Sequence, residues 1–423
     1  MPIRRRLHTI AAAVLLSQPL LASATNGYFA HGYGMQSLGM AGTAIALPQD
    51  SLAAASNPAG TGLVGHRLDL GLSYFAPRRA ARIEGNAFGP DDNFNGDGRR
   101  SFYIPEMGFT RQVNAQWGVG LALYGNGGMN TSYERNPYER FGASGRAGID
   151  LKQVFFSPSV AWKPTDDHTL GAALVLAHQR FSAQGIGFFG GFSAAPDRVS
   201  DQGTDTSHGL GLRLGWIGQI SPEWRVGLTW ASKIDGRFDR YRGLFADRGG
   251  FDIPENYGLG VAYNPTPRWT LAADVQRILY SQVGSVGNPA SRLFEQGVPL
   301  GSNDGPGFGW RDVTVVKLGV QHQLNDHWTL RAGYSHVTQP VPARETFFNI
   351  LAPGVVQHHL TLGATWQSPW GFKLTGYAAH AFSKTVKGQN AIPEGLPPAG
   401  FGGGNPDIQL RENILGLGLG WSW

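Results

Sequence analysis

The chain has 423 residues, of which 15% are charged and 11% aromatic, and it contains 61 glycines and no cysteine. Soluble domains usually carry about a quarter charged residues, so this composition argues against an ordinary soluble domain. The missing cysteine excludes disulfides, thiol redox chemistry and thiolate metal sites.

The first 24 residues have the pattern of a secretion signal. Three arginines at positions 4 to 6 precede the apolar run Ile10–Leu16, and small residues at 22–24 suit cleavage. The apolar run is too short to span a bilayer. Removing three arginines and no acid lowers the formal net charge from +5 to +2. A nearly neutral mature protein gives no reason to expect a nucleic-acid partner.

Residues 25–66 lack the alternating pattern of the rest of the chain, so they are predicted to form a separate domain. Met35–Ala46 places apolar residues on one helical face and predicts a short helix. Asn57 followed by Pro58 predicts a helix start, because Asn caps helices and proline needs no N–H at the first position. Glycines weaken such helices by about 1 kcal/mol each relative to alanine. The segment is therefore expected to be stable only inside a container.

From residue 67 to residue 423, alternating segments are joined in pairs by tight turns. Six turns contain Asn, Asp, Ser or Pro, which favour turns through local hydrogen bonds or a preset φ. Most are followed by a tryptophan, as at Trp117, Trp224 and Trp328. Longer polar connections, such as the one over Gly125–Ile149, separate these hairpins. Short turns on one side and long loops on the other are typical of outer-membrane barrels. Six hairpins plus a first and a last strand predict about fourteen strands.

The alternation within strands indicates which face meets lipid. Leu210, Leu212 and Leu214 alternate with Gly211 and Arg213. Leucines outside and polar or small residues inside suit an all-β transmembrane antiparallel barrel. A secreted β-sandwich is the alternative, but it does not require the regular change between short and long connections. The final aromatic residue is similar to the terminal signature that barrel assembly machinery reads, so we expect that machinery to bind at Trp423.

Two motifs in residues 25–66 resemble those of the FadL/TodX family: Asn26-Gly27-Tyr28-Phe29 at the start and Asn57-Pro58-Ala59 near the end. The resemblance implies an N-terminal helical hatch, or plug, in the lumen of a fourteen-stranded barrel in the outer membrane of a Gram-negative bacterium. It also implies passive uptake of long-chain fatty acids or related hydrophobic molecules. Uncharged aromatic or aliphatic hydrocarbons taken up by the same route are the alternative.

The resemblance also implies a lateral exit through a kinked third strand. This chain has Gly125, Asn126, Gly127 and Gly128 at the end of its predicted third strand. Glycines there favour a bulge or a kink, because they hold a strand ladder poorly. The alternative is that Gly125 simply begins the extracellular loop.

Two long loops are rich in aromatic and aliphatic residues, and in the family the corresponding loops first capture the ligand. The residues concerned are Phe188, Phe189, Phe192, Leu244 and Phe245. An exposed apolar patch of this kind often marks a binding site. The alternative is that these side chains pack together as a loop core.

Arg213 and Lys317 are predicted to face the lumen at mid-strand, where they can meet a ligand carboxylate. Structural ion pairs are the alternative for each of them. No cofactor is expected. The acidic run at Asp91 begins like a calcium loop, but its twelfth position is Phe102 instead of glutamate.

Two other classes of function compete with uptake. His380 and Ser383 suggest an outer-membrane hydrolase, although no third orienting residue is apparent. An open porin for polar solutes requires a lumen without a plug. Outer-membrane lipid, including lipopolysaccharide, is expected around the barrel wall.

Overall fold

The computed structural model describes residues 26–397 and 400–423, so the predicted secretion signal lies outside the described residues. Fifteen strands form one antiparallel sheet. In chain order they are β1 Arg67–Glu84, β2 Asp92–Asn95, β3 Phe102–Gln112, β4 Trp117–Asn130, β5 Gly148–Thr165, β6 His168–Gln184, β7 Asp205–Gln219, β8 Trp224–Ala231, β9 Asn256–Thr266, β10 Trp269–Ile278, β11 Val313–Gln323, β12 Trp328–Val337, β13 His358–Gln367, β14 Phe372–Val386 and β15 Asn405–Ser422.

The sheet closes on itself because β1 pairs along its whole length with β15, from Arg67 opposite Ser422 to Glu84 opposite Asn405. The other strands pair with their sequence neighbours, except that β2 pairs only with residues 80–83 of β1, so β3 pairs with β1 and β4. Without β2, fourteen of the fifteen strands make a closed barrel. The predicted strand number and the six tight turns are therefore confirmed.

The two faces of the wall differ as the alternation predicts. Leu210 and Leu214 are 65% and 43% exposed, whereas Arg213 between them on the chain is buried. Large apolar side chains pointing outward match a wall that faces lipid. Exposed tryptophans lie beside the short turns: Trp117, Trp162, Trp224, Trp269, Trp328 and Trp370.

The N-terminal segment, defined as residues 26–66, is mostly buried against the inner face of the wall. It contains the helices α1 Met35–Leu38 and α2 Ala53–Ser56 and the 3-10 helix Pro58–Gly62. The predicted helix over Met35–Ala46 is wrong beyond Leu38. Ala41 and Gly42 have φ values of 57° and 74°, which turn the chain out of a right-handed helix.

Glycines on the inner wall allow this segment to approach closely. A Cβ atom on Gly215 would lie 1.8 Å from Asn57 Oδ1, and one on Gly171 would lie 2.1 Å from the Ala59 nitrogen. Gly227 and Gly333 are in similar contact with the backbone of the segment. Glycines on the inner face of the wall therefore allow the N-terminal segment to pack closely against it.

The long loops lie at the end of the barrel opposite the tight turns. The prediction that an extracellular loop begins at Gly125 is wrong, because β4 continues through Gly125 to Asn130. No helix among the described residues is long and apolar enough to cross a membrane. Short helical segments occur at Ala246–Gly249, Gly284–Gly287, Ser291–Phe294 and Thr346–Asn349, with 3-10 turns at Glu139–Phe141, Gly187–Phe192, Pro196–Arg198, Asp239–Tyr241, Tyr280–Gln282 and Ala343–Glu345.

Candidate functional site

The barrel wall is interrupted between β3 and β4. These strands pair only from Gln112 opposite Gly118 to Met107 opposite Leu123. Above that level, of the fifteen strands only β1 pairs with β3 and only β5 pairs with β4. We call this interruption, between residues 102–106 of β3 and 124–130 of β4, the side gap.

A register shift in β4 lies beside the side gap. Gly125 pairs with Val154 and Gly127 pairs with Gln153, so Asn126 is an extra, bulged residue. The Asn126 side chain is buried and donates to Gln153 Oε1 at 2.8 Å. Its own oxygen accepts a hydrogen bond from the Tyr33 hydroxyl at 2.8 Å. The bulge therefore directs a polar side chain of the wall onto the N-terminal segment.

The N-terminal segment pairs with the unpaired edge of β4. Ala30 N donates to the Asn126 carbonyl at 2.6 Å, and Gly128 N donates to the Tyr28 carbonyl at 2.9 Å. Gly127 must lack a side chain here, because a Cβ atom would lie 1.7 Å from the Tyr28 oxygen. Residues 28–30 thus take hydrogen-bonding positions on β4 that a continuous β3 would otherwise use.

Arg79 of β1 spans the upper end of the side gap. Its Nη1 donates to the Asn130 carbonyl at 2.6 Å and to Asn130 Oδ1 at 2.9 Å. Its guanidinium carbon lies 5.9 Å from the centre of the Phe102 ring. The gap is therefore bounded below by strand pairing, above by Arg79 and inside by the N-terminal segment.

The start of the N-terminal segment is hydrogen-bonded to Tyr280 in an extracellular loop. The Tyr280 hydroxyl accepts from Tyr28 N at 3.2 Å and from Phe29 N at 3.3 Å, and it donates to the Asn26 carbonyl. Burial raises the pKa of Tyr28 well above its usual value, so its phenol stays neutral. Gly27 has a φ of 73°, and any side chain there would collide with Tyr280.

Asn57 fastens the other end of the segment. Its Nδ2 donates to the carbonyls of Ile45, Trp216 and Leu228 at 2.8, 3.1 and 3.1 Å. Its Oδ1 accepts from Ala59 N at 3.1 Å and caps the 3-10 helix that Pro58 begins. One side chain therefore links the segment to itself and to two wall strands.

Lys317 and Arg213, the two cations predicted to meet a ligand carboxylate, differ in their hydrogen-bond partners. Lys317 Nζ donates to the His31 carbonyl at 2.9 Å and to the Gly42 carbonyl at 3.4 Å. Arg213 is buried and lines a small lumen cavity; its Nε has no hydrogen-bond partner among the described residues. Arg213 Nη1 also donates to the Ser56 carbonyl of the segment, at 3.4 Å. Both cations thus hold the segment, and Arg213 has in addition an unpartnered Nε.

Two ionisable groups in the segment are strongly shifted by burial. Burial, followed by the charge of Asp69, raises the pKa of Asp50 to about 7. Burial and the neighbouring His359 hold the pKa of His31 well below its ordinary value, so that ring is neutral. The segment is therefore packed with few net charges.

The aromatic loop residues form both a loop core and a cavity wall. Phe189, Leu244 and Phe245 line an apolar cavity of about 40 Å³. The rings of Phe188 and Phe189 have centroids 3.9 Å apart, and Phe192 packs 5.1 Å from Phe401. Phe189 and Phe245 are buried rather than exposed. Both alternatives for these side chains are therefore compatible with the structure.

Three residues of the site were not predicted from the sequence. The rings of Tyr280 and Trp310 pack 5.0 and 5.8 Å from that of Tyr28, and Arg79 bounds the side gap. Their roles depend on contacts across long sequence separations. A lone aromatic in a loop or an arginine on a strand carries no local signal for such contacts.

The sequence model of outer membrane protein transport proteins (OMPP1/FadL/TodX) matches residues 18–392. The chain belongs to this family. It is accordingly an outer-membrane β-barrel of the type found in Gram-negative bacteria, in a family of transport proteins rather than enzymes.

Named relatives are distant in sequence. The chain is 21% identical over 295 residues to a long-chain fatty acid transport protein of Escherichia coli O6:H1, spanning 59% of this chain and 63% of that relative. The match thus covers less than two thirds of the relative. The corresponding protein of Salmonella typhi is 22% identical over 304 residues, 62% of this chain and 66% of that relative.

Two solved structures share the fold. The structure of a Pseudomonas aeruginosa FadL homologue has a TM-score of 0.71 at 15% identity, covering 94% of this chain and 99% of that one. The Pseudomonas putida toluene transporter TodX has a TM-score of 0.67 at 17% identity, covering 93% and 99%. At these identities the similarity establishes the architecture alone.

Proposed function

We propose that this protein carries long-chain fatty acids or related hydrophobic molecules passively across the outer membrane. The observation that carries the proposal is the side gap, with residues 28–30 paired across its inner side. A gap in a barrel wall offers an apolar ligand a path into lipid, where it is more soluble than in the aqueous periplasm. Membership of a transport family supports the same function.

Capture begins, in this proposal, at the aromatic cavity between the extracellular loops. Its lining consists almost entirely of apolar side chains, including Phe189 and Phe245. Small-molecule sites are typically concave and mostly apolar with a few polar groups. The rings of Phe245 and Phe251 lie 4.9 Å apart, and Phe251 in turn lies 6.0 Å from Tyr28. A ligand that separates these rings therefore disturbs the start of the N-terminal segment.

Release follows when residues 28–30 leave the edge of β4. The N-terminal segment then acts as a hatch over Gly125–Gly128, the proposed lateral opening. Asn57 and Lys317 keep the remainder of the segment attached, because they donate to carbonyls of residues that follow 28–30 in the chain, namely His31, Gly42 and Ile45. Only a local displacement is needed for the ligand to pass.

Two classes of ligand are candidates, fatty acids and uncharged hydrocarbons. A fatty-acid carboxylate is favoured by Arg213, whose Nε is free for a charge-assisted hydrogen bond. Uncharged aromatic or aliphatic hydrocarbons are favoured by the apolar loop cavity and by the commitment of Lys317 to backbone carbonyls. The named relatives support the first candidate, since two of them are long-chain fatty acid transport proteins.

The competing functions have less support. His380 Nδ1 is hydrogen-bonded to Asn413 Oδ1 at 2.7 Å on the exposed face, and an amide does not supply the charge of a triad carboxylate. The N-terminal segment occupies the lumen, which disfavours an open porin. Outer-membrane lipid around the wall and assembly machinery at Trp423 remain our proposed partners.

A reversible lock across the side gap tests this function. A Cβ atom on Gly125 would lie 3.1 Å from Ile104 Cγ2, so the pair Ile104→Cys and Gly125→Cys lies within disulfide reach. The chain has no other cysteine to interfere. Uptake of labelled oleate and labelled toluene should stop on oxidation and return on reduction, while each single variant stays active. Unchanged uptake by the oxidised, fully cross-linked protein would refute lateral release.

A further inference from the structure

The outer face of the wall changes from apolar to cationic over three successive rows of β5, β6 and β7. The first row consists of exposed apolar side chains that lie opposite one another: Phe156, Leu176 and Leu210. In the next row towards the long loops, His178 lies opposite His208, and the two rings are hydrogen-bonded, with Nδ1 2.9 Å from Nε2. In the third row, Lys152 lies opposite Arg180. Because side chains alternate along a strand, all three rows face outward. The order places the edge of the lipid-facing band at the histidines.

The same order recurs across β1 and β15, where Arg78 lies opposite Arg411. Between this pair of cations and the apolar row at Leu415 lies Asn413, whose Oδ1 is 2.7 Å from His380 Nδ1 on β14. Two separate parts of the wall therefore pass from apolar residues through a histidine row to a pair of opposed cations.

The cations on β5 and β6 are not neutralised by their neighbours. Like charges directly opposite each other on antiparallel strands repel. Arg180 is exposed and forms no ion pair with another described side chain. Lys152 Nζ and Arg99 Nη1 lie 2.8 and 3.1 Å from the same oxygen, Asp150 Oδ2. We call Arg99, Lys152 and Arg180 the cation cluster. Its three positive charges share one carboxylate, which leaves an excess of two.

The cation cluster lies beside the outer mouth of the side gap. Lys152 is the Cα partner of Gly128 on the β4 edge of the gap. Arg99 precedes β3, so its ion pair with Asp150 of β5 joins the two sides of the gap at its upper end. A molecule bound at the cation cluster therefore lies next to the proposed lateral opening.

We propose that the cation cluster binds a phosphate group of lipopolysaccharide, whose acyl chains lie on the apolar row below it. Lys and Arg form strong, charge-assisted hydrogen bonds with phosphate oxygens. A phosphate monoester carries about −1.5 to −2 charges at pH 7, which matches the excess of two positive charges. The single charge of a phospholipid phosphodiester leaves one cation unneutralised. The proposal rests on the location of the barrel in the outer membrane and is independent of the proposed uptake.

The experiment measures lipid binding to the purified full chain by native mass spectrometry. The probes are lipid A with two phosphate monoesters, the same lipid A without phosphates, and phosphatidylglycerol. A Lys or Arg near an anionic lipid surface contributes about fivefold to binding. Lys152→Gln combined with Arg180→Gln should therefore weaken binding of phosphorylated lipid A by roughly 25-fold and leave the dephosphorylated form unaffected. Unchanged binding of phosphorylated lipid A by this variant would overturn the proposal.

Arg180→Gln alone covers the case in which the double variant fails to fold, because Arg180 is exposed and has no ion-pair partner to lose. It should weaken binding of phosphorylated lipid A by about fivefold, and Arg180→Lys should restore most of the loss. The matched control is Arg268→Gln in the exposed turn between β9 and β10, at the other end of the barrel, which should have no effect. Equal losses in Arg180→Gln and Arg268→Gln would show a non-specific charge effect and overturn the site. Equal binding of phosphatidylglycerol and phosphorylated lipid A by the unmodified protein would overturn the choice of lipopolysaccharide.

Discussion

Gly127 offers the sharpest test of how the N-terminal segment covers the side gap. A single methyl group there would lie 1.7 Å from the Tyr28 oxygen, so residues 28–30 cannot stay in place in Gly127→Ala. The nearby Gly125→Ala is a matched control. Its methyl would lie 3.1 Å from Ile104 Cγ2 and 4.0 Å from the Gln153 carbonyl oxygen, the second of which is an ordinary contact.

The expected magnitude follows from the hydrogen bonds that the displacement breaks. The bonds from Ala30 N to the Asn126 carbonyl and from Gly128 N to the Tyr28 carbonyl are both lost. At about 1 kcal/mol each, the loss is about 2 kcal/mol. A loss of about 2 kcal/mol raises the ratio of molecules with residues 28–30 displaced from β4 to those with them paired by about 30-fold. The collision with the new methyl group destabilises the paired state further.

The assay measures the labelling of one introduced thiol, which is possible because the chain contains no cysteine. Ala30→Cys provides one thiol, and its reaction rate with a polar maleimide reports how often residues 28–30 leave β4. We expect an increase of about 30-fold when Gly127→Ala is added, and at most a few-fold with Gly125→Ala. Thermal unfolding of each variant checks that the barrel is intact. Equal labelling rates in both variants with intact barrels would refute the pairing described here.

Three other predictions address the same segment and the loops. Asn57→Ala should lower the free energy of unfolding by about 1–3 kcal/mol because buried carbonyls lose their donor, and Asn57→Gln is the control in a thermal or denaturant titration. The raised pKa of Asp50, about 7 against an ordinary value near 4, means that the folded protein binds the extra proton. Stability should therefore fall as pH rises from about 4 to 7, and Asp50→Asn should remove that part of the change in unfolding midpoint. Phe189→Ala should weaken competition binding of oleate and toluene severalfold, whereas Phe192→Ala at the edge of the loop core should have less effect; equal losses would contradict the assigned cavity.

The sequence specified the barrel wall well because its signals are local. A period of two fixes which side chains face lipid, and turn residues fix where the chain reverses. The Leu210–Leu214 stretch and the six tight turns needed no knowledge of distant contacts. The same local reasoning failed for Met35–Ala46, where the helical pattern was outweighed by the turn at Ala41 and Gly42.

The sequence drew attention to the glycines at 125–128 and to the aromatic loop residues, but the contacts that these and the other site residues make could not be predicted from it. Lys317 is one case: its inward direction followed from alternation, yet its hydrogen bonds to His31 and Gly42 join positions more than 270 residues apart. Whether a lumen lysine meets a ligand or a backbone carbonyl depends on what fills the lumen.

By itself, the sequence determined a closed β-barrel of fourteen strands, its inward and outward faces, and a segment that does not belong to its wall. Only the tertiary structure decided where that segment goes. Residues 28–30 complete the edge of β4 because closure of the barrel brings them beside a strand whose own neighbour has separated from it. Either β3 or residues 28–30 can pair with the same backbone groups of β4. Which of them does so depends on how the whole interior of the barrel is packed, and no local sequence pattern contains that information.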